Sequence, residues 1–356
     1  MGLKAAKRRQ GPQFVDEIPA RLTTDPSPLL VASARTALML ALRELQLDPA
    51  RRILVPEFVC DVVVDAIRQC GLAPRYYSTT RNLVPDWEAL EVMAAERSCS
   101  ALVMVHYFGQ PQDVTQFRAF CGRHDLVLIE DNAHGHGGYL GGNPLGTLGN
   151  VGISSPRKIL GTPSGGALYG AGPGARRVVD NLRMYPIHHP VVAVKAVLRS
   201  IPVLRRRLKS WIDQDSNWSD PHLHREVTQT DYAIDVWSRQ RIVTADWKAI
   251  AAERRARWSA WAQFAQRNGG ELLFARVHPE SCPWALPVYV RDMSDRNAWL
   301  QWGAKNRISI FPWPTLPEEV IASNGVALAR WQKILCISLE VGPVKLGPRI
   351  SSTTLQ

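Results

Sequence analysis

The sequence predicts an α/β fold, with a large domain built on a mainly parallel sheet flanked by helices and a small C-terminal α+β domain. Short apolar runs that predict strands alternate with helical segments from about residue 29 to residue 170, which is typical of parallel sheets. From Glu271 onward the pattern changes to short strands around one helix. We therefore expect a lead at 1–28, a large domain at 29–235, and a linking helix with the small domain at 236–356.

Composition excludes several classes of protein. The 356 residues are 46% hydrophobic and 21% charged, as in a soluble globular protein. No apolar run is long enough to span a membrane, and the basic N-terminus lacks the apolar core of a secretory signal. The six cysteines are scattered without a C-x-x-C pair, which predicts reduced thiols and a cytoplasmic location. The net charge of +11 suits nucleic acid, a membrane surface or an acidic substrate, but we find no nucleic-acid motif.

The expected large domain contains strands and helices in alternation. The expected strands are Leu29–Ser33, Ile53–Pro56, Leu72–Tyr77, the run from Ala101, Leu126–Ile129 and Val151–Ser154. The expected helices run from Ser33 to about Leu47, from Glu57 to Cys70 and from Val114 to His124.

The second half of the chain is less regular. Residues 193–212 are basic and amphipathic; we favour a surface helix pair broken at Pro202 over a segment that contacts a membrane surface or an acidic partner. Asp235 to Phe264 predicts one long helix. In the expected small domain, strands and a helix alternate: Leu272–Phe274, Ala285–Val290, Asp295–Asn306 and Ile308–Ile310.

The stretch from Leu126 to Gly170 carries the chemistry. Its first strand ends in Glu130 and Asp131, at the strand end where ligands gather in α/β folds. Hydroxyls, Lys158 and a glycine pair follow. Pyridoxal phosphate needs a lysine that holds it as a Schiff base, a carboxylate at its pyridine nitrogen, and hydroxyl and N–H groups around its phosphate. The stretch therefore predicts a pyridoxal phosphate site.

The same stretch resembles the DegT/DnrJ/StrS family of sugar aminotransferases, which have the type I fold of pyridoxal phosphate enzymes. The matching residues are Glu130-Asp131-Asn132-Ala133-His134 and Lys158 with Gly165-Gly166. The resemblance implies that Lys158 is the Schiff-base lysine and that Asp131 pairs with the pyridine nitrogen. It also implies that His134 lies near the cofactor ring or its phenolic oxygen.

The phosphate site is expected at two places. Many family members have a serine where this chain has Ile153, so we favour Ser155, three residues before Lys158, over Ser154. The start of the first helix resembles the family's phosphate-binding turn, with Ala in place of Gly, at Ser33, Ala34 and Arg35. A helix start is a natural phosphate site, and an ordinary serine N-cap is the alternative.

Further passages resemble the family, and others depart from it. Val105–Pro111 and the W-P-x-L-P passage at Trp313–Pro317 resemble family motifs. Cys60 stands where some members have a ring-stacking aromatic residue, so either His134 supplies the stacking or the pocket has another shape. The end, Leu335–Glu340, lacks the final family helix.

The resemblance implies a pyridoxal phosphate-dependent aminotransferase. An amino acid such as glutamate would give its amino group to a keto-sugar, expected to be nucleotide-linked. Lys158 would then act as general base and acid. The family also implies a homodimer, the commonest symmetric oligomer.

The sequence leaves four alternatives to compare with this function. A metal site at Asp131, His134 and His136 lacks a further ligand with regular spacing, and we expect no metal. A Ser155–Lys158 nucleophile would need the S-D-N and K-T-G motifs, which the sequence lacks. A related sugar dehydratase would have histidine in place of Lys158. A non-catalytic or partner-binding member of the fold stays open, because of the departures at Ile153, Cys60, Ala34 and the C-terminus.

Overall fold

A large sheet and a smaller sheet organise the chain. In a computed structural model the described residues are 27–186, 231–313 and 315–343. The strands are β1 Leu29–Val31, β2 Arg52–Pro56, β3 Ala73–Tyr77, β4 Cys99–Val105, β5 Val127–Asn132, β6 Tyr139–Leu140, β7 Asn143–Pro144, β8 Val151–Ser154, β9 Gly166–Tyr169, β10 Glu271–Leu272, β11 Ala285–Tyr289, β12 Ile310–Pro312 and β13 Ile334–Ser338.

The helices follow the strands in alternation through the first half of the chain. They are α1 Ala34–Leu45, α2 Asp61–Gln69, α3 Trp87–Ala95, α4 Val114–His124, α5 Pro156–Leu160, α6 Pro173–Asp180, α7 Val236–Val243, α8 Trp247–Arg267, α9 Met293–Asn306, α10 Glu318–Ala322 and α11 Val326–Lys333. A short 3₁₀ turn, Tyr107–Gly109, follows β4.

The larger sheet has seven strands in the order β1-β9-β8-β5-β4-β2-β3. The contacts between β2, β3, β4, β5 and β8 are parallel, and β9 pairs antiparallel with both β8 and β1. The prediction of a mainly parallel sheet with flanking helices is confirmed. Its central strands are buried along their length, because helices cover both faces of such a sheet.

The smaller sheet has four antiparallel strands in the order β10-β11-β13-β12. Helices α8 and α9 pack against it around an apolar cluster that includes Trp258, Trp261 and Trp299. This is the α+β architecture expected for the C-terminal part. The strand β13 carries the Leu335–Ser338 run with which the chain departs from the family pattern.

The prediction of one long helix from Asp235 to Phe264 is wrong. This stretch consists of two helices, α7 and α8, because Asp235 and Asp246 each cap a helix start: their carboxylates accept hydrogen bonds from the N–H groups of Ser238 and Ala249. An aspartate N-cap takes a non-helical backbone, so the second one interrupts the pattern. The basic segment 193–212 and the lead before residue 27 lie outside the described residues.

In the described part of the chain, none of the helices combines the length and the apolar character that crossing a bilayer requires.

Candidate active site

Three neighbouring strands bring the central residues of the site into line. Asp131 on β5 pairs in register with Val105 on β4 and with Ile153 on β8. All three line one pocket. Ile153 is buried at 2% exposure, so the residue that stands in place of a family serine forms part of the apolar floor beside Asp131.

Lys158 and Ser155 reach the pocket from the end of β8. Ser155 is the residue just before α5, and Lys158 lies in that short helix. Because side chains alternate along a strand, Ile153 and Ser155 face the pocket whereas Ser154 faces away from it. Ser154 instead contacts the imidazole of His136, with 2.7 Å between Oγ and Nδ1. The preference for Ser155 over Ser154 agrees with this arrangement.

The structure brings all predicted cofactor residues into a single cavity of about 160 Å³. They come from the start of α1, the end of β5 and the turn into α5, and they are Ser33, Ala34, Arg35, Asp131, His134, Ser155 and Lys158. Their convergence is therefore a property of the fold.

The start of α1 closes one side of the cavity. Ser33 is an N-cap, since its Oγ accepts a hydrogen bond of 3.1 Å from the N–H of Thr36. A Cβ at Gly166 would overlap the carbonyl group of Ser33, so only glycine lets β9 approach the helix start this closely. The glycine pair thereby places the first-turn N–H groups of α1 beside Ser155 and Lys158. A serine N-cap and a phosphate site are both compatible with this geometry.

Asp131 is a buried carboxyl group at the end of its strand, with 6% exposure. Its Oδ1 accepts a hydrogen bond of 2.9 Å from the N–H of Ala133. Burial raises the pKa of Asp131 above its usual range, although the Ala133 N–H and the charge of Lys158 lower it in part. Such a group is stabilised as a carboxylate when a cation comes close, which is what a protonated pyridine nitrogen would supply.

Ser155 carries a buried, unsatisfied hydroxyl group in the pocket. Its side chain is 1% exposed, and its Oγ has no hydrogen-bond partner among the described residues. A buried hydroxyl without a partner costs free energy. A phosphate oxygen at this position would satisfy it. Together with Asp131 and Lys158, this hydroxyl fits pyridoxal phosphate by the chemistry of the donor set.

His134 lies among aromatic rings. Its ring is near-parallel to Trp284, with centroids 4.5 Å apart, and to Phe108, with centroids 6.0 Å apart. The N–H of Phe108 donates to His134 Nδ1 at 3.4 Å, which leaves the imidazole proton on Nε2. Burial, with the charge of Lys158, holds the pKa of His134 well below its usual range. His134 is thus a neutral hydrogen-bond donor whose ring stacks between those of Trp284 and Phe108.

Glu130, the other carboxylate at the end of β5, has a structural role. Its two oxygens accept hydrogen bonds from the N–H groups of Gly146, Leu148 and Gly149 and from the imidazole of His106. Burial by itself raises the pKa of Glu130, but the His106 and backbone hydrogen bonds outweigh it and lower this pKa. Glu130 therefore holds the glycine-rich loop after β7 as an anion.

Several pocket residues were missed by the sequence analysis. Trp284 lies just before β11, with Lys158 Nζ 5.1 Å from its ring centroid. Trp313, from the W-P-x-L-P passage, packs edge-on against His134. Asp61 accepts hydrogen bonds from the Thr315 hydroxyl and from Cys60. The W-P-x-L-P passage at Trp313–Pro317 is the local signal that pointed to these pocket contacts. The other residues could not be predicted, because they meet only where the small sheet packs on the large one.

The alternative metal site does not form. His136 contacts Ser154 and packs edge-on against Trp247, with 4.4 Å between the ring centroids. It does not line the cavity that Asp131 and His134 share. Within the described ranges, no three His, Cys, Asp or Glu side chains are grouped so as to hold a metal ion.

Solved structures have the same fold. A putative sugar aminotransferase from Streptococcus pneumoniae, solved in its PLP form, superposes with a TM-score of 0.63 at 17% identity, covering 92% of this chain and 84% of that one. An aminotransferase from Streptoalloteichus hindustanus gives a TM-score of 0.62 at 20% identity, with 89% and 82% coverage. The chain therefore has the α/β fold of these aminotransferases.

Sequence comparison names the family. Residues 16–189 match the model of the DegT/DnrJ/EryC1/StrS aminotransferase family. The matched residues are just under half of the chain, and over them the chain is similar to that family, whose aminotransferases depend on pyridoxal phosphate. The predicted resemblance to this family is thereby confirmed.

Two curated relatives each match just under half of the chain. One is a UDP-N-acetyl-3-dehydro-alpha-D-glucosamine 3-aminotransferase of Acidithiobacillus ferrooxidans, 30% identical over 175 residues, which are 47% of this chain and 47% of that protein. The other is a dTDP-4-dehydro-2,3,6-trideoxy-D-glucose 4-aminotransferase of Saccharopolyspora spinosa, 30% identical over 164 residues, 45% and 42% of the two chains. The chain thus aligns with less than half the length of the curated relatives it matches.

Proposed function

We propose that this protein is a pyridoxal phosphate-dependent aminotransferase that moves an amino group from an amino acid donor such as glutamate to a nucleotide-linked keto-sugar. The convergence of Lys158, Asp131 and Ser155 in one cavity carries the proposal. Each of these side chains offers a group that would bind part of the cofactor. Lys158 offers an amine, Asp131 a buried carboxyl with a raised pKa, and Ser155 a hydroxyl without a partner among the described residues.

The residues around the cavity have distinct parts in holding the cofactor. Lys158 would bond it through Nζ, and Asp131 would hold the proton of its pyridine nitrogen. Ser155 and the first-turn N–H groups of α1, at Ala34 and Arg35, would bind its phosphate, since a helix start attracts anions. His134, protonated at Nε2, would donate a hydrogen bond to an oxygen on the ring.

The chain's own groups also account for the proton transfer. When bound, the cofactor supplies an electron sink for the bond that is broken at the amino-bearing carbon. Lys158 Nζ lies in a cavity bordered by Trp284 and Trp313, which shield it from water. An amine in such a cavity can accept a proton from one carbon and return it to another, as general base and then general acid.

The substrate class follows from the relatives and from charge. Both relatives described above act, by their names, on keto-sugars linked to a nucleoside diphosphate. The net charge of +11 would attract a diphosphate at long range. These two observations support a nucleotide-linked sugar over a free one.

The deciding experiment is an absorbance titration of the purified protein with pyridoxal phosphate, followed by borohydride reduction and peptide mass spectrometry. We expect a yellow adduct whose reduced label lies on the peptide that contains Lys158. The Lys158→Ala variant should give no label, and Lys248→Ala, at an exposed lysine on α8, should label like the parent. A colourless protein, or a label elsewhere, would exclude this assignment.

Transfer itself is tested with glutamate and a set of UDP- and dTDP-linked keto-sugars, by measuring 2-oxoglutarate. Release that requires both the sugar and Lys158 supports the proposal. If the label forms on Lys158 but no sugar of the set is aminated, a non-catalytic or partner-binding protein becomes the better explanation. Loss of water from the sugar without amination would indicate the dehydratase, in which histidine would be expected in place of Lys158.

We further propose a cytoplasmic homodimer. All six cysteines are free, as is usual in a reducing compartment. Large apolar side chains are exposed on α7, with Val236 at 64% and Val243 at 67%. Met184, which is 53% exposed, joins Ala233 just before α7 through a backbone bridge. Such side chains often mark a subunit contact. A monomeric mass by light scattering at micromolar concentration would exclude the dimer.

A further inference from the structure

Lys158 is held near Trp284 by a set of contacts that begins on another helix. Lys158 Nζ lies 5.1 Å from the centroid of the Trp284 ring, within the range of a cation–π interaction. The same ring stacks on His134 at an interplanar angle of 23°. The position of Trp284 therefore affects both the lysine and the histidine of the pocket.

The backbone of Trp284 is fixed at both of its polar groups. Its N–H donates to the carbonyl oxygen of Phe108 at 3.0 Å. Its carbonyl oxygen accepts from Nη2 of Arg254 at 2.6 Å, while Nε of the same guanidinium donates to the carbonyl oxygen of Pro283, also at 2.6 Å. A planar guanidinium that makes two such bonds fixes orientation as well as distance.

Arg254 has no direct part in the pocket. It lies on α8, is 4% exposed, and does not line the cavity. Phe108, on the other side, has a left-handed backbone with φ of 57°, a conformation that costs free energy in a residue other than glycine. This conformation allows its N–H to donate to His134 while its carbonyl oxygen accepts from Trp284.

We propose that Arg254 is a positioning residue for Lys158: its guanidinium fixes the Pro283–Trp284 backbone, which places the Trp284 ring over the lysine ammonium group. This inference rests on the proposed function only for its biological meaning, because the contacts that carry it join residues of this chain to one another. The Trp284 ring shields Lys158 and favours its charged form, so it sets how readily the amine reacts.

The test measures the reactivity of Lys158 in the full chain after removal of any bound cofactor. Trinitrobenzenesulfonate labels neutral, accessible amines, and peptide mass spectrometry gives the labelling rate of Lys158. We expect Trp284→Leu to speed labelling about fivefold to tenfold, as the loss of a partly desolvated cation–π contact implies. Arg254→Met should also speed the labelling of Lys158. Arg254→Lys should give a rate between those of Arg254→Met and the parent.

The double variant Trp284→Leu/Arg254→Met separates positioning from general destabilisation. If Arg254 acts through Trp284, the double variant labels no faster than Trp284→Leu alone, because coupled residues are non-additive. Arg257→Met is the matched control: it removes a guanidinium on the same helix that also bonds two carbonyl oxygens, those of Leu339 and Glu340. We expect it to lower the melting temperature without changing the labelling rate.

Multiplicative effects in the double variant, or Arg254→Met labelling like the parent, would overturn the inference. Trp284→Phe serves if Trp284→Leu does not fold, and a smaller increase is expected because part of the ring surface remains. Pyridoxal phosphate binding is measured on the same variants. If Lys158 forms no adduct in the parent but the labelling pattern holds, the proposed function fails and this inference stands.

Discussion

His106 donates a hydrogen bond of 2.9 Å from Nε2 to Oε1 of Glu130, and neither side chain is exposed to solvent. The N–H of Gln112 donates to the other ring nitrogen of His106 at 3.0 Å, so the imidazole is neutral and its proton lies on Nε2. The pair joins the ends of β4 and β5, directly beside Asp131. It thereby supports the strand edge at which the pocket forms.

Glu130→Gln is expected to destabilise the protein by about 3 kcal/mol, because a buried amide N–H₂ would face donors that now bind a carboxylate oxygen. Chemical unfolding at neutral pH measures the loss. Glu91→Gln is the control, since Glu91 is 42% exposed and pairs with Arg123 and His124; there we expect less than about 1 kcal/mol. Equal losses in the two variants would contradict the structural part assigned to Glu130.

The two adjacent serines are expected to respond in opposite ways. Ser155→Ala removes a buried hydroxyl without a partner, so the free energy of unfolding should not fall, while the Kd for pyridoxal phosphate should rise about fivefold through loss of one hydrogen bond. Ser154→Ala removes the nearer of two hydroxyls that contact Nδ1 of His136, the other being that of Tyr169, so it should lose about 1 kcal/mol of stability and keep its affinity for the cofactor. Thermal unfolding and absorbance titration measure both. The reverse pattern would move the phosphate site to Ser154.

His136 should make the protein less stable in mild acid. Burial lowers the pKa of His136 from 6.5 to about 4, so between these values the unfolded chain binds a proton that the folded chain excludes. The stabilising effect is complete above pH 6.5 and is lost as the pH falls toward about 4, by on the order of 3 kcal/mol. His136→Gln should show a flatter curve of unfolding free energy against pH. Parallel curves for parent and variant would refute the prediction.

Gly166→Ala is expected to disturb the start of α1. The added methyl group would overlap the Ser33 carbonyl, and such overpacking costs about 1–3 kcal/mol. We expect lower cofactor affinity as well, because the helix start would move away from Ser155. Gly122→Ala is the control: Gly122 lies within α4 with open space around it, and alanine there should stabilise by up to about 1 kcal/mol. A harmless Gly166→Ala would mean that this close approach does not support the site.

Much of the site was predictable because it follows short-range patterns. Asp131 ends an apolar run, and Lys158 follows a strand and a serine turn; both placements depend on local periodicity. The break between α7 and α8 was missed although Asp246 provides a cap signal. The residues on both sides of Asp246 have helical periodicity, so the pattern predicts one continuous helix. Element boundaries of this kind are the least predictable part of a sequence.

The sequence alone determined the α/β class, the alternation of strands and helices through about residue 170, and the residue types at the strand ends, because these depend on periodicity and motif spacing along the chain. It did not predict the helices α3 and α5 or the strand β9. Only the tertiary structure decided that Gly166 touches Ser33, that Trp284 covers Lys158, and that Arg254 holds Trp284 from a helix outside the pocket. The physical reason is that these contacts join residues far apart in the chain. Gly166 meets Ser33 within the part that holds the larger sheet, Arg254 meets Trp284 within the part that holds the smaller one, and Trp284 meets Lys158 where the two parts pack together. No local pattern encodes which of these residues meet.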